Sequence, residues 1–153
     1  MNIYFNQILS IQKKIKQNIR WTETSFSEQI SELTKCKLFI KYENRQYTGA
    51  FKIRGSYAKL LSLTDEEKNR GVIAVSAGNH AQGLAYSSNK MKINSHIVMP
   101  TSTPFTKISR TKSFGGNVIL EGETLKDSYK HVQALIQKDN FTEIHPYNDI
   151  EVI

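Results

Sequence analysis

The chain has 153 residues, of which 39% are hydrophobic and 23% are charged, and its formal net charge is +7. This length suffices for one folded domain with a buried core, and the composition is ordinary for a soluble globular protein. No apolar run approaches the length that spans a bilayer, so we predict no membrane partner. The single cysteine, Cys36, excludes an internal disulfide and a multi-cysteine metal site, and we predict no bound metal.

The amino-terminal sequence predicts an amphipathic helix rather than a targeting segment. Isoleucines recur with the spacing of one helix face, at Ile8, Ile11, Ile15 and Ile19. The lysines of 13–16 follow the apolar residues instead of preceding them, which is not the layout of a secretory signal. A reducing cytoplasm is therefore the expected compartment. The same lysines form the densest basic cluster, but no recognition motif accompanies them, so we predict no nucleic-acid partner.

A strand at Lys37–Glu43, which we assign to a separate sheet, precedes the first distinctive stretch, "TGAFKIRG". Apolar residues after this stretch recur with helical spacing, at Ile53, Tyr57, Leu60 and Leu61. Thr48 is the predicted N-cap, which places Lys52 near the first helical turn. This is an unfavourable place for a cation, because the helix dipole already puts partial positive charge there. An amine that is hard to protonate stays available as a nucleophile.

From Gly71 onward, short apolar runs alternate with helical patterns. The predicted strands are 72–76, 96–100, 117–121 and 142–146. The first three runs are almost continuously apolar, as expected when helices cover both faces of a parallel sheet. One intervening helix has Thr103 as predicted N-cap, Pro104 as first helical residue and an end at Gly115–Gly116. We therefore predict an α/β fold with an open, mainly parallel twisted sheet and helices on both faces.

Ligands of such sheets bind at the carboxyl ends of the strands, where the first strand continues into "SAGNHAQG". Gly78 permits a tight turn or close backbone approach, and the amides of a starting helix suit an anion such as a carboxylate. Asn79 and His80 add neutral hydrogen-bonding side chains at the same rim. Taken alone, this turn is equally well explained as a capped connection between a strand and a helix.

The two stretches together, in this order and spacing, resemble the pyridoxal-phosphate enzymes of the tryptophan-synthase-β type (fold type II), and among them the biodegradative threonine/serine dehydratases. The resemblance runs from about Arg20 to Ile153 and includes "YENRQYTGAFKIRG", "GVIAVSAGNHAQG", "IVMP" and "HPYND". It implies that Lys52 bonds covalently to pyridoxal 5'-phosphate and then removes the substrate's α-proton. It also implies a cofactor site formed by Phe51, Lys52 and Asn79, with Phe51 against the ring and Asn79 on the 3-hydroxyl.

The substrate carboxylate would be bound by Ser76, Gly78, Asn79 and His80, again by resemblance. The implied reaction is β-elimination, which converts threonine to 2-oxobutanoate, or serine to pyruvate, with release of ammonia. Related serine racemases carry a second serine where this chain has Ala77, so a racemase reading is disfavoured. An AMP effector of the biodegradative enzymes is bound at positions that match Thr48, Gly49 and Gln82.

Members of this family are about twice as long, and their glycine-rich phosphate loop follows the region matched here. We therefore expect an amino-terminal fragment that is inactive alone, acting with a complementing carboxyl-terminal chain or as a homo-oligomer. The family layout assigns residues 1–47 to an incomplete large domain, 48–148 to a small α/β domain, and 149–153 to the start of the remainder. The alternative is a non-catalytic remnant or small α/β interaction module. The apolar face of the first helix would then lack its partner surface.

Overall fold

The computed structural model describes residues 5–153, and residues 1–4 of the predicted segment 1–47 lie outside the described part. The helices within it are α1 (Phe5–Ile15), α2 (Glu28–Thr34), α3 (Lys52–Ser62), α4 (Asp65–Arg70), α5 (Asn79–Lys90), α6 (Phe105–Ser113) and α7 (Leu125–Asp139). The strands are β1 (Thr24–Phe26), β2 (Phe39–Lys41), β3 (Val72–Val75), β4 (Ser95–Met99), β5 (Asn117–Leu120) and β6 (Thr142–Glu143). A 3₁₀ turn at Glu43–Arg45 follows β2.

The four strands predicted after Gly71 form one parallel sheet in the order β5-β4-β3-β6. Successive side chains of a strand point to opposite faces, and both faces of β3 are buried. Val72 and Ala74 pack with α3 and α5, whereas Ile73 packs with Val132 of α7. Helices therefore cover both faces, which explains the continuous apolar runs and confirms the predicted fold class.

The elements before α3 lie outside the parallel sheet, and α1 with the residues after it packs on α3. β1 and β2 pair antiparallel in a two-stranded sheet, so the strand around Phe39 does belong to another sheet, as predicted. Ile15 and Ile19 are buried against Ile53 and Tyr57 of α3. The other end of the α1 apolar face is open, because Phe5 is 71% exposed and Ile8 is 52% exposed.

Several predicted boundaries are wrong by a few residues. The cap of α3 is Phe51 rather than Thr48, because the chain first turns at Gly49, whose φ is +74° and whose N–H donates to the Gln46 carbonyl. The cap of α6 is Pro104 rather than Thr103, since Pro104 keeps an extended ψ of 137° and its carbonyl accepts from the next turn.

The predicted stop at Gly115–Gly116 is confirmed: α6 ends at Ser113, Phe114 is its C-cap, and Gly115 follows with a φ of +95°. Leu61 of the predicted α3 core face is 40% exposed. The free thiol of Cys36 is also exposed. No helix within residues 5–153 combines the length and the apolar character needed to cross a membrane.

The tightest helix contact in the fold joins the middle of α5 to the start of α3. A Cβ on Gly83 would lie 3.1 Å from the backbone nitrogen of Ile53 and 3.1 Å from the carbonyl carbon of Lys52. Only a residue without a side chain lets the two backbones approach this closely. Lys52, the first residue of α3, is thereby fixed against the helix that begins at Asn79.

We predict that Gly83→Ala lowers the free energy of unfolding by about 1–2 kcal/mol, because the added methyl group overpacks backbone atoms that cannot move independently. The figure of about 1–2 kcal/mol is the net loss, because the cost of overpacking exceeds the gain of nearly 1 kcal/mol that alanine normally brings inside a helix. Urea unfolding followed by circular dichroism measures it. Gly78→Ala is the matched control, since a Cβ at Gly78 meets nothing within 4 Å. Equal stability of the two variants would contradict the prediction.

Candidate active site

The sheet has its topological switch point between β3 and β6. The chain runs outward from β3 through β4 to β5, then crosses the opposite face in α7 and returns to pair β6 with the other side of β3. Crevices outside the carboxyl ends of strands at such points are where ligands bind in open α/β sheets. The segments leaving the two strands, Ser76–Gly78 and Ile144–Asn148, flank this crevice.

The segment after β3 is held by the Ser76 hydroxyl. Its oxygen accepts from the N–H groups of Gly78 at 3.3 Å and Ala81 at 3.2 Å, which orders the turn into α5. The N–H groups of Asn79 and His80, in the first turn of α5, donate to no residue within 5–153. The side chain of Asn79 is exposed. The turn therefore presents amide donors at the positive end of a 12-residue helix, which favours an anion.

Gly78 leaves open space in front of this turn. A Cβ built there meets no atom within 4 Å, so no contact among residues 5–153 requires a glycine at this position. No other part of the described protein therefore comes close to the backbone at Gly78, and the space in front of it is open to a ligand.

His80 is buried, with only 3% of its surface exposed. Its Nε2 lies 2.9 Å from the Ile144 carbonyl and donates to it, so Nδ1 is the unprotonated acceptor. Nδ1 has no hydrogen-bond partner among residues 5–153. Burial, helped by the nearby charges of Lys52 and His145, lowers the pKa of His80 to about 4 against the opposing effect of the Ile144 carbonyl. At neutral pH, His80 is a neutral side chain with one unused acceptor.

Lys52 is the first residue of α3 and is half-buried. Its Nζ donates to the Pro146 carbonyl at 2.6 Å and lies 5.4 Å from the centroid of the Phe51 ring. The prediction that Lys52 occupies the first turn is confirmed. Phe51 is 57% exposed, so its ring forms an open wall beside the amine. The amine reaches the same segment that His80 holds, and both side chains therefore face the switch-point crevice.

A hydrogen-bond network fixes the start of α3 from the amino-terminal side. Arg54 binds the Glu43 carboxylate with two contacts of 2.8 Å, and the Thr22 hydroxyl donates to the same carboxylate. Burial raises the pKa of Glu43, but the hydrogen bonds from Arg54 and Thr22 outweigh it, and the net effect lowers the pKa to about 2. Arg54 lies two residues after Lys52, so this bidentate pair orients the helix turn that carries the amine.

The residues predicted to bind an AMP effector lie on the α6 side of this helix start. Thr48 and Gln82 are buried, and the Thr48 carbonyl accepts from Nη2 of Arg110 at 3.4 Å. A Cβ on Gly49 would lie 3.1 Å from the same guanidinium nitrogen. Their assignment to an effector site stays a prediction.

Sequence reasoning missed the contribution of the segment after β6. The carbonyls of Ile144 and Pro146 hold His80 and Lys52, yet a backbone carbonyl has no signature in a sequence. The only available signal was "HPYND" itself, a motif quoted for resemblance without a role.

These residues fit part of a pyridoxal phosphate molecule. An amine beside an aromatic wall, an exposed amide side chain and a turn of free N–H donors suit its aldehyde, its ring hydroxyl and a substrate carboxylate. The open space at Gly78 leaves room for a ligand beside this turn. None of the eight glycines of the sequence belongs to a glycine-rich loop that could hold the phosphate.

Comparison with known proteins gives the same class of protein, the pyridoxal-phosphate dependent enzymes. Residues 15–153 match the family described as "Pyridoxal-phosphate dependent enzyme". The chain is 40% identical over 151 residues to the L-threonine ammonia-lyase of Thermotoga maritima, covering 99% of this chain and 38% of that protein. It is 43% identical over 136 residues to a catabolic L-threonine dehydratase of Staphylococcus aureus, covering 88% of this chain and 39% of that protein.

A solved structure agrees with the fold. Serine racemase from Dictyostelium discoideum superposes with a TM-score of 0.89 at 31% identity, over 98% of this chain and 49% of that one. The chain therefore belongs to the fold type II family of pyridoxal-phosphate dependent enzymes, and it is homologous to threonine dehydratases over a partial region. It spans about two fifths of the length of the curated relatives named here.

The buried His80 predicts a specific loss of stability in acid. The unfolded chain binds the proton near the ordinary pKa of 6.5, whereas the folded chain binds it only near 4. The unfolded state therefore holds more protons in this window, and stability falls as the pH decreases from 6.5 towards 4. Between pH 7 and 4.5 the wild type should lose about 2–3 kcal/mol of unfolding free energy more than His80→Gln, which cannot titrate.

Urea unfolding at a series of pH values measures this difference. His131→Gln, a change of a half-buried histidine in α7, is the control and should keep the wild-type pH dependence. Parallel curves for the wild type and His80→Gln would show that His80 is not the group responsible.

Proposed function

We propose that these residues form the lysine-bearing half of a threonine/serine dehydratase site. One observation carries the proposal: Lys52 and His80, from different helices, both reach the segment after β6 at the switch point of the sheet. The names of the relatives at 40% and 43% identity supply the reaction class. In this proposal Lys52 is the catalytic amine: it would hold pyridoxal phosphate through the cofactor's aldehyde and, once the substrate's amine has displaced it, would take the α-proton.

The roles of the remaining residues follow from the groups that they present. When bound, pyridoxal phosphate supplies an electron-withdrawing ring that stabilises the negative charge left at the α-carbon. Phe51 would cover one face of that ring, and the exposed amide of Asn79 would donate to its 3-hydroxyl. The unpaired N–H groups of Asn79 and His80, with the Ser76 hydroxyl, would hold the substrate carboxylate in the open space at Gly78 and orient the α-proton towards Lys52.

A racemase is the second enzyme reading, since serine racemase is among the structural relatives. Racemisation needs a second acid on the opposite face of the substrate. Ala77 occupies the position of that acid in this chain, and its side chain packs against the main core rather than offering a proton. The elimination reaction is therefore favoured over racemisation.

We further propose that residues 48–148 act as the small domain and that residues 1–47 pack on a larger one. The exposed end of the α1 face supports this assignment, because Phe5 and Ile8 continue a face that is buried at Ile15. A cavity of about 650 Å³ between α1, α3 and the final residues is lined by Ile8, Ile11 and Ile150. A non-catalytic interaction module is the alternative that these surfaces leave open.

Titration with pyridoxal phosphate tests the site. We expect saturable visible absorbance from lysine-bound cofactor, with borohydride fixing the label at Lys52 in peptide maps. Lys52→Ala should abolish the absorbance, whereas Lys107→Ala, an exposed lysine of α6, should leave it unchanged. Weak labelling spread over many lysines would contradict the proposed cofactor site.

Turnover is expected to need more of the protein than these 153 residues. The chain carries the amine but no glycine-rich phosphate loop, so the purified chain should release no ammonia from threonine. Ammonia release that disappears in Lys52→Ala would overturn this expectation. Reading the coding sequence past Ile153 separates the alternatives, because a continuing frame with a glycine-rich loop favours the enzyme over the interaction module.

A further inference from the structure

We propose that His145 is a positioning residue for Lys52, acting through the turn that carries the Pro146 carbonyl. The inference rests on the proposed role of Lys52 as the reactive amine and gives a function to the "HPYND" motif. His145 does not contact the amine in this arrangement; it closes the turn that presents the carbonyl to the amine.

The imidazole of His145 closes this turn by accepting two backbone hydrogen bonds. Its Nδ1 accepts from the N–H of Tyr147 at 3.3 Å and from the N–H of Asn148 at 2.9 Å. Asparagine and aspartate side chains close turns in the same way with an oxygen acceptor. The ring also packs edge-to-face on Tyr147, with centroids 4.7 Å apart and an interplanar angle of 88°. The turn at Pro146 is therefore closed by one side chain rather than by the sheet ladder.

The turn is anchored on both sides. Before it, the Ile144 carbonyl accepts from His80, and the Ile144 N–H donates to the Ile73 carbonyl of β3 at 2.9 Å. After it, Asp149 pairs with Lys59 of α3 at 2.9 Å. Between these anchors His145 holds the turn through its two hydrogen bonds, and the Pro146 carbonyl in this turn meets Nζ of Lys52 at 2.6 Å.

This contact decides where the free amine rests. A lysine side chain has four rotatable bonds, so a single short hydrogen bond selects one arrangement from many. While it is held at this carbonyl, the nitrogen can approach an aldehyde from few directions. Loosening the turn therefore increases the time that Lys52 spends free to react.

Two complementary variants separate the contribution of the hydrogen-bond acceptor of His145 from that of its aromatic ring. His145→Phe keeps the aromatic contact with Tyr147 but has no acceptor, whereas His145→Asn keeps an acceptor but has no ring. The readout is the rate of reductive methylation with formaldehyde and cyanoborohydride, resolved lysine by lysine through peptide mass mapping. This reaction labels amines without the cofactor. His131→Phe in α7 is the matched control.

We expect methylation of Lys52 to be about 3- to 10-fold faster in His145→Phe, which corresponds to the loss of one hydrogen bond. The other lysines in the same digest should keep their wild-type rates. His145→Asn and His131→Phe should both resemble the wild type at Lys52. This rescue by asparagine distinguishes positioning from a purely structural role of the ring.

Three results would overturn the inference: an unchanged Lys52 rate in His145→Phe, an equal increase in His145→Asn, or an increase spread over all lysines. Failure of the proposed function is recognised separately. In that case the variants behave as expected, but pyridoxal phosphate does not label Lys52 in the wild-type chain.

Discussion

The contact on which the site depends is the close approach of α5 to α3 at Gly83. Because Gly83 has no side chain, the backbone of Lys52 and Ile53 can lie against the middle of α5. This contact places an amine at the start of one helix beside the turn that begins the other. A Cβ at this position would lie 3.1 Å from backbone atoms of Lys52 and Ile53, so the start of α3 would have to shift slightly away from α5.

The starts of α3 and α5 form two sides of the crevice, and the sheet topology supplies the third. β6 returns to the free side of β3, so the segment leaving β6 crosses directly in front of the two helix starts. His80 and Lys52 each donate to a carbonyl of this segment, two residues apart. The N–H groups of Asn79 and His80 stay without a partner among residues 5–153, and so does the buried Nδ1 of His80.

Local contacts hold the groups of the candidate site in place. The lysine, the amide turn and the segment after β6 are all held by contacts within residues 5–153, including the bidentate pair of Arg54 and Glu43. The relatives are more than twice as long, and the apolar end of the α1 face is open in this chain.

The sequence by itself determined the fold class, the alternation of strands and helices after Gly71 and the position of Lys52 in a first helical turn. Apolar periodicity and continuous strand runs encode these features locally. It misplaced the caps of α3 and α6, because Gly49 and Pro104 delay each helix through backbone geometry that a generic cap residue does not reveal. Only the tertiary structure decided that β6 lies next to β3, that Gly83 serves a helix contact, and that the "HPYND" segment holds Lys52 and His80. These features depend on the directions of backbone carbonyls and on contacts between residues far apart in the chain. His80 and Ile144 are separated by 64 positions, and Lys52 and Pro146 by 94. Side-chain patterns in a sequence do not record such contacts.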